Sequence, residues 1–154
     1  MRNLQKLVEQ RELYAIHEEA TVHELAQAFY DRNVGALPVI QGDRVVGVVS
    51  ERDIVRRLLL PGKDPEATKV RDIMTREVVV GDVGDTPEGC MGTMQAAGVR
   101  HLPIVREQKL VGFISIRDLF AAEIEKKHEE VKHLTDYIYF VPPSGPARGK
   151  SGSS

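Results

Sequence analysis

Val34-Gly35-Ala36-Leu37-Pro38-Val39-Ile40 and Val99-Arg100-His101-Leu102-Pro103-Ile104-Val105 decide the fold, because they are one stretch written twice. Pro103 follows Pro38 by 65 residues, and the same offset continues without a gap. Val46-Gly47 falls on Val111-Gly112, and Ser50-Glu51-Arg52-Asp53 falls on Ser115-Ile116-Arg117-Asp118. Towards the N-terminus, Thr21 falls on Thr86, Arg11-Glu12 on Arg76-Glu77 and Leu13-Tyr14-Ala15 on Val78-Val79-Val80. Chance similarity does not hold one offset through Pro, Gly, Ser, Arg and Asp together, so the chain is an internal duplication. Its units are residues 4–64 and 69–129, joined by the Pro- and Gly-bearing linker Leu60 to Glu66. A helical extension is expected over 130–141, and a Pro-, Gly- and Ser-rich tail over 142–154 reads as disordered.

Both units read in the order β-α-β-β-α. A β-prone run (Leu13 to Ile16; Glu77 to Val80) leads to a helix start, marked by Thr21 with Glu24 three residues on, and by Thr86 before Pro87. Val22, Leu25, Ala26 and Phe29 recur at helical spacing, as Met91 and Met94 do more weakly. Two apolar runs then flank a polar turn, Leu37 to Ile40 and Val45 to Val49 around Gln41-Gly42-Asp43. Leu102 to Val105 and Leu110 to Ile114 are their counterparts, and a second helix follows from Ser50 and from Ser115. A single unit of this size buries too little surface to be comfortable alone. The expectation is an α/β (more strictly α+β) fold of two βαββα units packed with pseudo-two-fold symmetry, with a shared cleft as the natural ligand site. The apolar positions Leu134, Tyr137 and Ile138 make the extension amphipathic, suited to packing on a partner subunit or on its own domain.

The bulk properties narrow the function classes. A net charge of −2 supplies no broad basic field, which argues against nucleic acid as a partner. No apolar run approaches a membrane span, and the first residues carry no signal-peptide pattern. Cys90 is the only cysteine, so no internal disulfide forms; a soluble cytoplasmic protein is expected. The histidines show no metal-ligand spacing, and Cys90, Met91 and Met94 read as core. No nucleophile–base pair emerges, so no catalytic residue and no metal ligand is assigned.

The repeated pattern of apolar-Gly-Ala-Leu-Pro-Val, then Val-Gly, two apolar residues and Ser-x-Arg-Asp, resembles the cystathionine β-synthase (CBS) domain. A tandem pair of these is a Bateman module. Val70-Arg71-Asp72-Ile73-Met74-Thr75 is similar to the usual opening of such a repeat, whereas the first copy has Leu7-Val8-Glu9-Gln10. The resemblance covers residues 4–129. It implies a module that forms a disc-like homodimer and binds an adenosine-containing ligand (AMP, ATP, NAD(H) or S-adenosylmethionine), with no obligatory cofactor. The family's ribose motif stands here as Ser50-x-x-Asp53 and Ser115-x-x-Asp118. One carboxylate can accept from both hydroxyls of a ribose. The same spacing is also a helix cap, with Ser at N-cap and Asp three residues on. In such pairs the residues before Leu-Pro of one repeat reach the ligand held by the Asp of the other. Carried over by position, Asp53 shares a site with Arg100 and His101, and Asp118 shares one with Gly35 and Ala36. Arg100 suits phosphate, His101 adds a donor, and Arg52 and Arg117 are secondary phosphate candidates. The resemblance thus implies a regulatory nucleotide sensor. The alternatives are a homodimerisation module with vestigial pockets and, behind it, a nucleotide hydrolase.

Overall fold

The computed structural model describes residues 4–140, apart from the side chains of His133 and residues 135–140. The expected tail over 142–154 and the final residue of the expected extension lie outside the described residues. The chain divides into one compact unit ending at Ile116 and a second beginning at Arg117.

Duplication is legible in every element of the first unit. Helix α1 (Gln5–Glu9) precedes a sheet of β1 (Ile16–His17), β2 (Ala36–Gln41) and β3 (Arg44–Ser50), with α2 (Val22–Arg32) between β1 and β2. After β3 the short α3 (Glu51–Ile54) runs into a π turn over Val55–Leu59, and a 3₁₀ turn occupies Val70–Asp72. The second sheet, β4 (Gly81–Asp82), β5 (His101–Arg106) and β6 (Lys109–Ser115), repeats the order, with α4 (Pro87–Ala97) in the place of α2. Each of these strands and both helices stand 65 residues after their counterparts, as do the register shifts at Val39/Ile40 and Ile104/Val105.

Local chemistry explains the helix ends. The Thr21 hydroxyl accepts from the Glu24 N–H at 3.1 Å, and the Thr86 hydroxyl from the Gly89 N–H at 3.0 Å. Asn33 and Gly98 close the two helices in the left-handed region at φ 54° and 69°, which glycine and asparagine reach most cheaply.

The first strand of each unit differs from expectation. β1 and β4 begin at Ile16 and Gly81, after the β-prone runs, and Leu13, Val79 and Val80 stay exposed and unpaired. The parallel partner gives the reason. Ile16 pairs with Val39 and Gly81 with Ile104, so the next pair back would need Pro38 or Pro103, which have no N–H for a ladder. Ala26 also departs from its expected core role and is exposed, while Val22, Leu25 and Phe29 are buried as expected.

The two openings are exchanged. The segment before the second repeat lies on the first sheet: the Val48 and Thr75 backbones bond reciprocally at 3.1 and 2.9 Å, and Val70, Ile73 and Met74 join the core of Val22, Leu25, Phe29, Leu37, Val39 and Val49. Gly47 is needed there, because a Cβ would stand 2.6 Å from Met74 Sδ and 2.8 Å from the Thr75 carbonyl oxygen. Conversely, α1 packs on β6, where a Cβ on Gly112 would stand 2.8 Å from a Val8 methyl. The Leu4 N–H donates to the Asp85 carbonyl at 3.2 Å. Contacts between β3 and β6 complete this reciprocal arrangement. Arg57, on the π turn, donates to the Ile73 and Met74 carbonyls at 3.1 and 2.9 Å and ties the crossing segment down.

The second unit consists of helix α5 (Ile116–Phe140) from Arg117 onward. The expected second helix and extension are therefore one continuous helix. None of the described helices is long and apolar enough to cross a membrane.

Candidate functional site

The candidate residues gather at equivalent ends of the two sheets, where the strand leaving each hairpin turns into a helix. In the first repeat, Ala36 pairs with Ser50 at the end of the β2–β3 ladder, and the Glu51 N–H donates to the Gly35 carbonyl at 3.0 Å. The junction therefore brings Gly35, Ala36, Ser50 and Asp53 together. In the second repeat, His101 pairs with Ser115, and the Ile116 N–H donates to the Arg100 carbonyl at 2.8 Å. Arg117 and Asp118 follow in the first turn of α5.

Ser50 and Asp53 form a reciprocal capping box. Asp53 Oδ2 accepts from the Ser50 N–H at 2.9 Å and from its hydroxyl at 3.2 Å, and the Ser50 hydroxyl oxygen lies 3.4 Å from the Asp53 N–H. The capping reading of Ser-x-x-Asp is thus realised in the first repeat. All three contacts use the same carboxylate oxygen, so Oδ1 keeps its acceptor capacity and the half-buried Asp53 is already oriented. The helix start offers less to an anion than its sequence suggests. Its Glu51 N–H is spent on Gly35 and its Asp53 N–H faces Ser50, so charge for a phosphate falls to side chains.

Arg100 is exposed just before β5, and Arg52 is exposed on α3. His101 is half-buried and stacks on Phe113, with ring centroids 5.2 Å apart and planes at 13°. That contact fixes the imidazole plane, and spacing alone did not reveal it because Phe113 sits on the neighbouring strand. Glu51 is the other residue that sequence reasoning passed over. Its Oε1 lies 2.6 Å from where a Cβ on Gly35 would stand, so its carboxylate folds over that glycine. The signal was available as the first x of Ser-x-x-Asp, but motif reading discards that position. Cys90 is buried, and burial pushes its thiol up to about 11, as suits a core residue. Among the described residues no cluster of His, Cys, Asp and Glu has the makings of a metal site.

With this geometry in hand, known proteins sharpen the reading. A family model described as "CBS domain" matches twice, over residues 7–60 and 70–125. The chain is 34% identical over 125 residues to the mitochondrial CBS domain-containing protein CBSX3 of Arabidopsis thaliana, covering 77% of this chain and 60% of that one. It thus spans less than two thirds of that relative's length. Among solved structures it is similar to the CBS domain NE2398, with TM-score 0.72, 34% identity and coverage of 80% and 98% of the two chains. It is also similar to a CBS-domain protein of Burkholderia ambifaria, with TM-score 0.73, 29% identity and coverage of 80% and 95%. Two more distant structures share the fold and carry ligands. The CBS pair of MJ0100 (19% identity, TM-score 0.71) holds 5′-methylthioadenosine and S-adenosyl-L-methionine, and CBSX2 (23%, 0.64) holds AMP. These similarities span 82% and 75% of this chain, and 98% and 90% of those two.

Proposed function

The chain belongs to the CBS-domain family as a tandem pair, and on that premise we propose that it is a regulatory module, not an enzyme, that binds an adenosine-containing nucleotide between its repeats. The observation that carries this reading is the β3–α3 junction. Asp53 is held by Ser50 through one oxygen, beside the glycine loop at Gly35, with its other oxygen able to accept from a ribose. Arg100 supplies a guanidinium fork for phosphate, and His101, braced by Phe113, supplies a ring donor. Adenosine compounds on structures of the same fold support the ligand class. Regulation follows by population shift: a ligand that favours one arrangement of the repeats stabilises it by its differential affinity, and an effector protein reads the result. Ser50, Asp53, Arg100 and His101 hold ligand, and none performs chemistry.

The test is isothermal titration of the full chain with AMP, ATP, NAD, NADH, S-adenosylmethionine and adenosine. Asp53→Ala is expected to abolish binding of all of them at this site. Arg100→Ala is expected to weaken phosphate-bearing ligands by roughly 10- to 100-fold and to leave adenosine unchanged, as loss of a charged hydrogen bond requires. Binding that ignores Asp53→Ala removes the site assignment. A second reading, a homodimerisation scaffold with vestigial pockets, is favoured by the capping box, since it alone accounts for both Ser50 and Asp53. No binding by any compound at millimolar concentration, with the dimer present, selects that reading.

A further inference from the structure

Helix α5 carries four exposed apolar side chains, Phe120, Ile124, Val131 and Leu134, between 54% and 67% exposed. Their spacing alternates as a heptad: Phe120 and Ile124 are four apart, Val131 is one heptad after Ile124, and Leu134 is three further on. The one interior seam position without an apolar residue is Lys127, and the next step falls on Ile138 in the sequence. At about 100° per residue these positions lie within a stripe roughly 80° wide, the narrow seam of a helix pair rather than the broad face of a helix laid on a globular core. Such a stripe leaves substantial apolar surface in water unless another helix covers it.

We infer that this seam pairs in parallel with the same seam of a second copy of the chain. The flanking residues select both occupant and direction. Glu123 and Glu130 line one flank, while Ala121 and His128 line the other. In a parallel pair the flanks face across the seam, which sets Glu123 of one copy opposite His128 of the next. In an antiparallel pair like flanks meet and Glu123 opposes Glu130, an acidic repulsion. Lys127 at one seam position allows two helices, since each ammonium can lie outward along its stem, and penalises the crowded interior of larger assemblies. This inference is independent of nucleotide binding.

The experiment is cysteine cross-linking of the full chain in a glutathione redox buffer. Leu134→Cys places a thiol on the seam near its end, and Lys132→Cys places one on the outer face as a control. The native Cys90, buried with a raised thiol pKa, does not compete. Parallel pairing brings the two Leu134→Cys thiols together, and disulfide-linked dimer forms at least about tenfold faster than in the control, as millimolar effective concentration implies. Adding Ile124→Asp, ten residues away on the same seam, abolishes that preference. Antiparallel pairing sets position 134 opposite position 120 and gives no preference. Equal rates in the two cysteine variants, or a preference that survives Ile124→Asp, overturns the inference.

Discussion

The two repeats share a backbone register, yet they fill it with different side chains. Leu25 of α2 becomes Cys90 in α4, Phe29 becomes Met94, and Val22 becomes Pro87. All six are buried, so each site keeps its burial while losing volume or shape in the second copy. The helix surface diverges as well, with Glu24 and Gln27 replaced by Gly89 and Gly92. Glycine inside a helix costs roughly 1 kcal/mol against alanine, so α4 is intrinsically the weaker helix. The comparison teaches that duplication preserves the frame, meaning caps, register and junctions, while one copy becomes a firm platform and the other a more adaptable one.

Core truncation should separate the halves most. Leu25→Ala is expected to destabilise by about 2–5 kcal/mol, because Leu25 is fully buried in a cluster that includes the crossing residues Val70, Ile73 and Met74. Cys90→Ala, at the equivalent position, should cost about 1 kcal/mol, since it removes one polarisable atom. Urea unfolding of both variants measures the two costs, and equal values would end the idea of unequal cores.

The exchanged openings provide the next contrast. Gly47→Ala drives a methyl into Met74 and into the Thr75 carbonyl, whose backbone is pinned to Val48, so about 2 kcal/mol is expected. At Gly112 the obstructing atoms belong to the side chain of Val8 on the short α1, which can give way, and the cost should stay below about 1 kcal/mol. Thermal unfolding ranks the pair, and a larger cost at Gly112 would mean that α1 is held more firmly than the crossing segment.

In the opposite direction, Gly92→Ala is expected to stabilise the chain by about 0.5–1 kcal/mol. An added Cβ at Gly92 meets nothing within 4 Å and the backbone is helical, so only the propensity gain remains. Amide exchange should slow selectively in α4. Protection unchanged in α4 would show that its glycines do not set its opening.

Most of this frame was legible in the sequence because duplication prints the same constraints twice. Caps at Thr21 and Thr86, the hairpins and the helix starts after Ser50 and Ser115 all follow from local chemistry at one offset. Partner choice was not legible. Nothing in Leu7-Val8 or Ile73-Met74 says that each opening lies on the other repeat's sheet, because an apolar side chain records that it is buried and not by what. The brevity of β1 and β4 was missed because β propensity at Leu13 or Val79 is a property of that segment, whereas its limit is set by Pro38 and Pro103 in another strand. Within the site, Ser50 and Asp53 were found by motif, but Glu51 over Gly35 and Phe113 against His101 are contacts that no spacing rule encodes.

The smallest expected difference concerns acid. In the first repeat Glu19 bonds Lys69 at 2.9 Å and Arg71 at 2.6 Å, tying the linker to the end of β1, while the position 65 residues on is Gly84. The hydrogen bond from Lys69, together with the charges of Arg71 and Lys69, holds the Glu19 carboxyl below its usual value. A carboxyl whose folded pKa lies below its unfolded pKa binds fewer protons in the native state than in the unfolded one. Its contribution is therefore complete above the unfolded value of roughly 4.3, and it is lost as pH falls through the folded value. Both cations are exposed, so salt screens the effect and its size is modest. Glu19→Gln should flatten the acid limb of the unfolding midpoint below about pH 5 without changing the midpoint's response elsewhere. High salt should bring the wild-type curve towards the variant's. If the two curves keep the same acid slope at low salt, the linker is held by its backbone bonds to Glu18 and Ala20 alone, and the first repeat owes nothing to this ion pair.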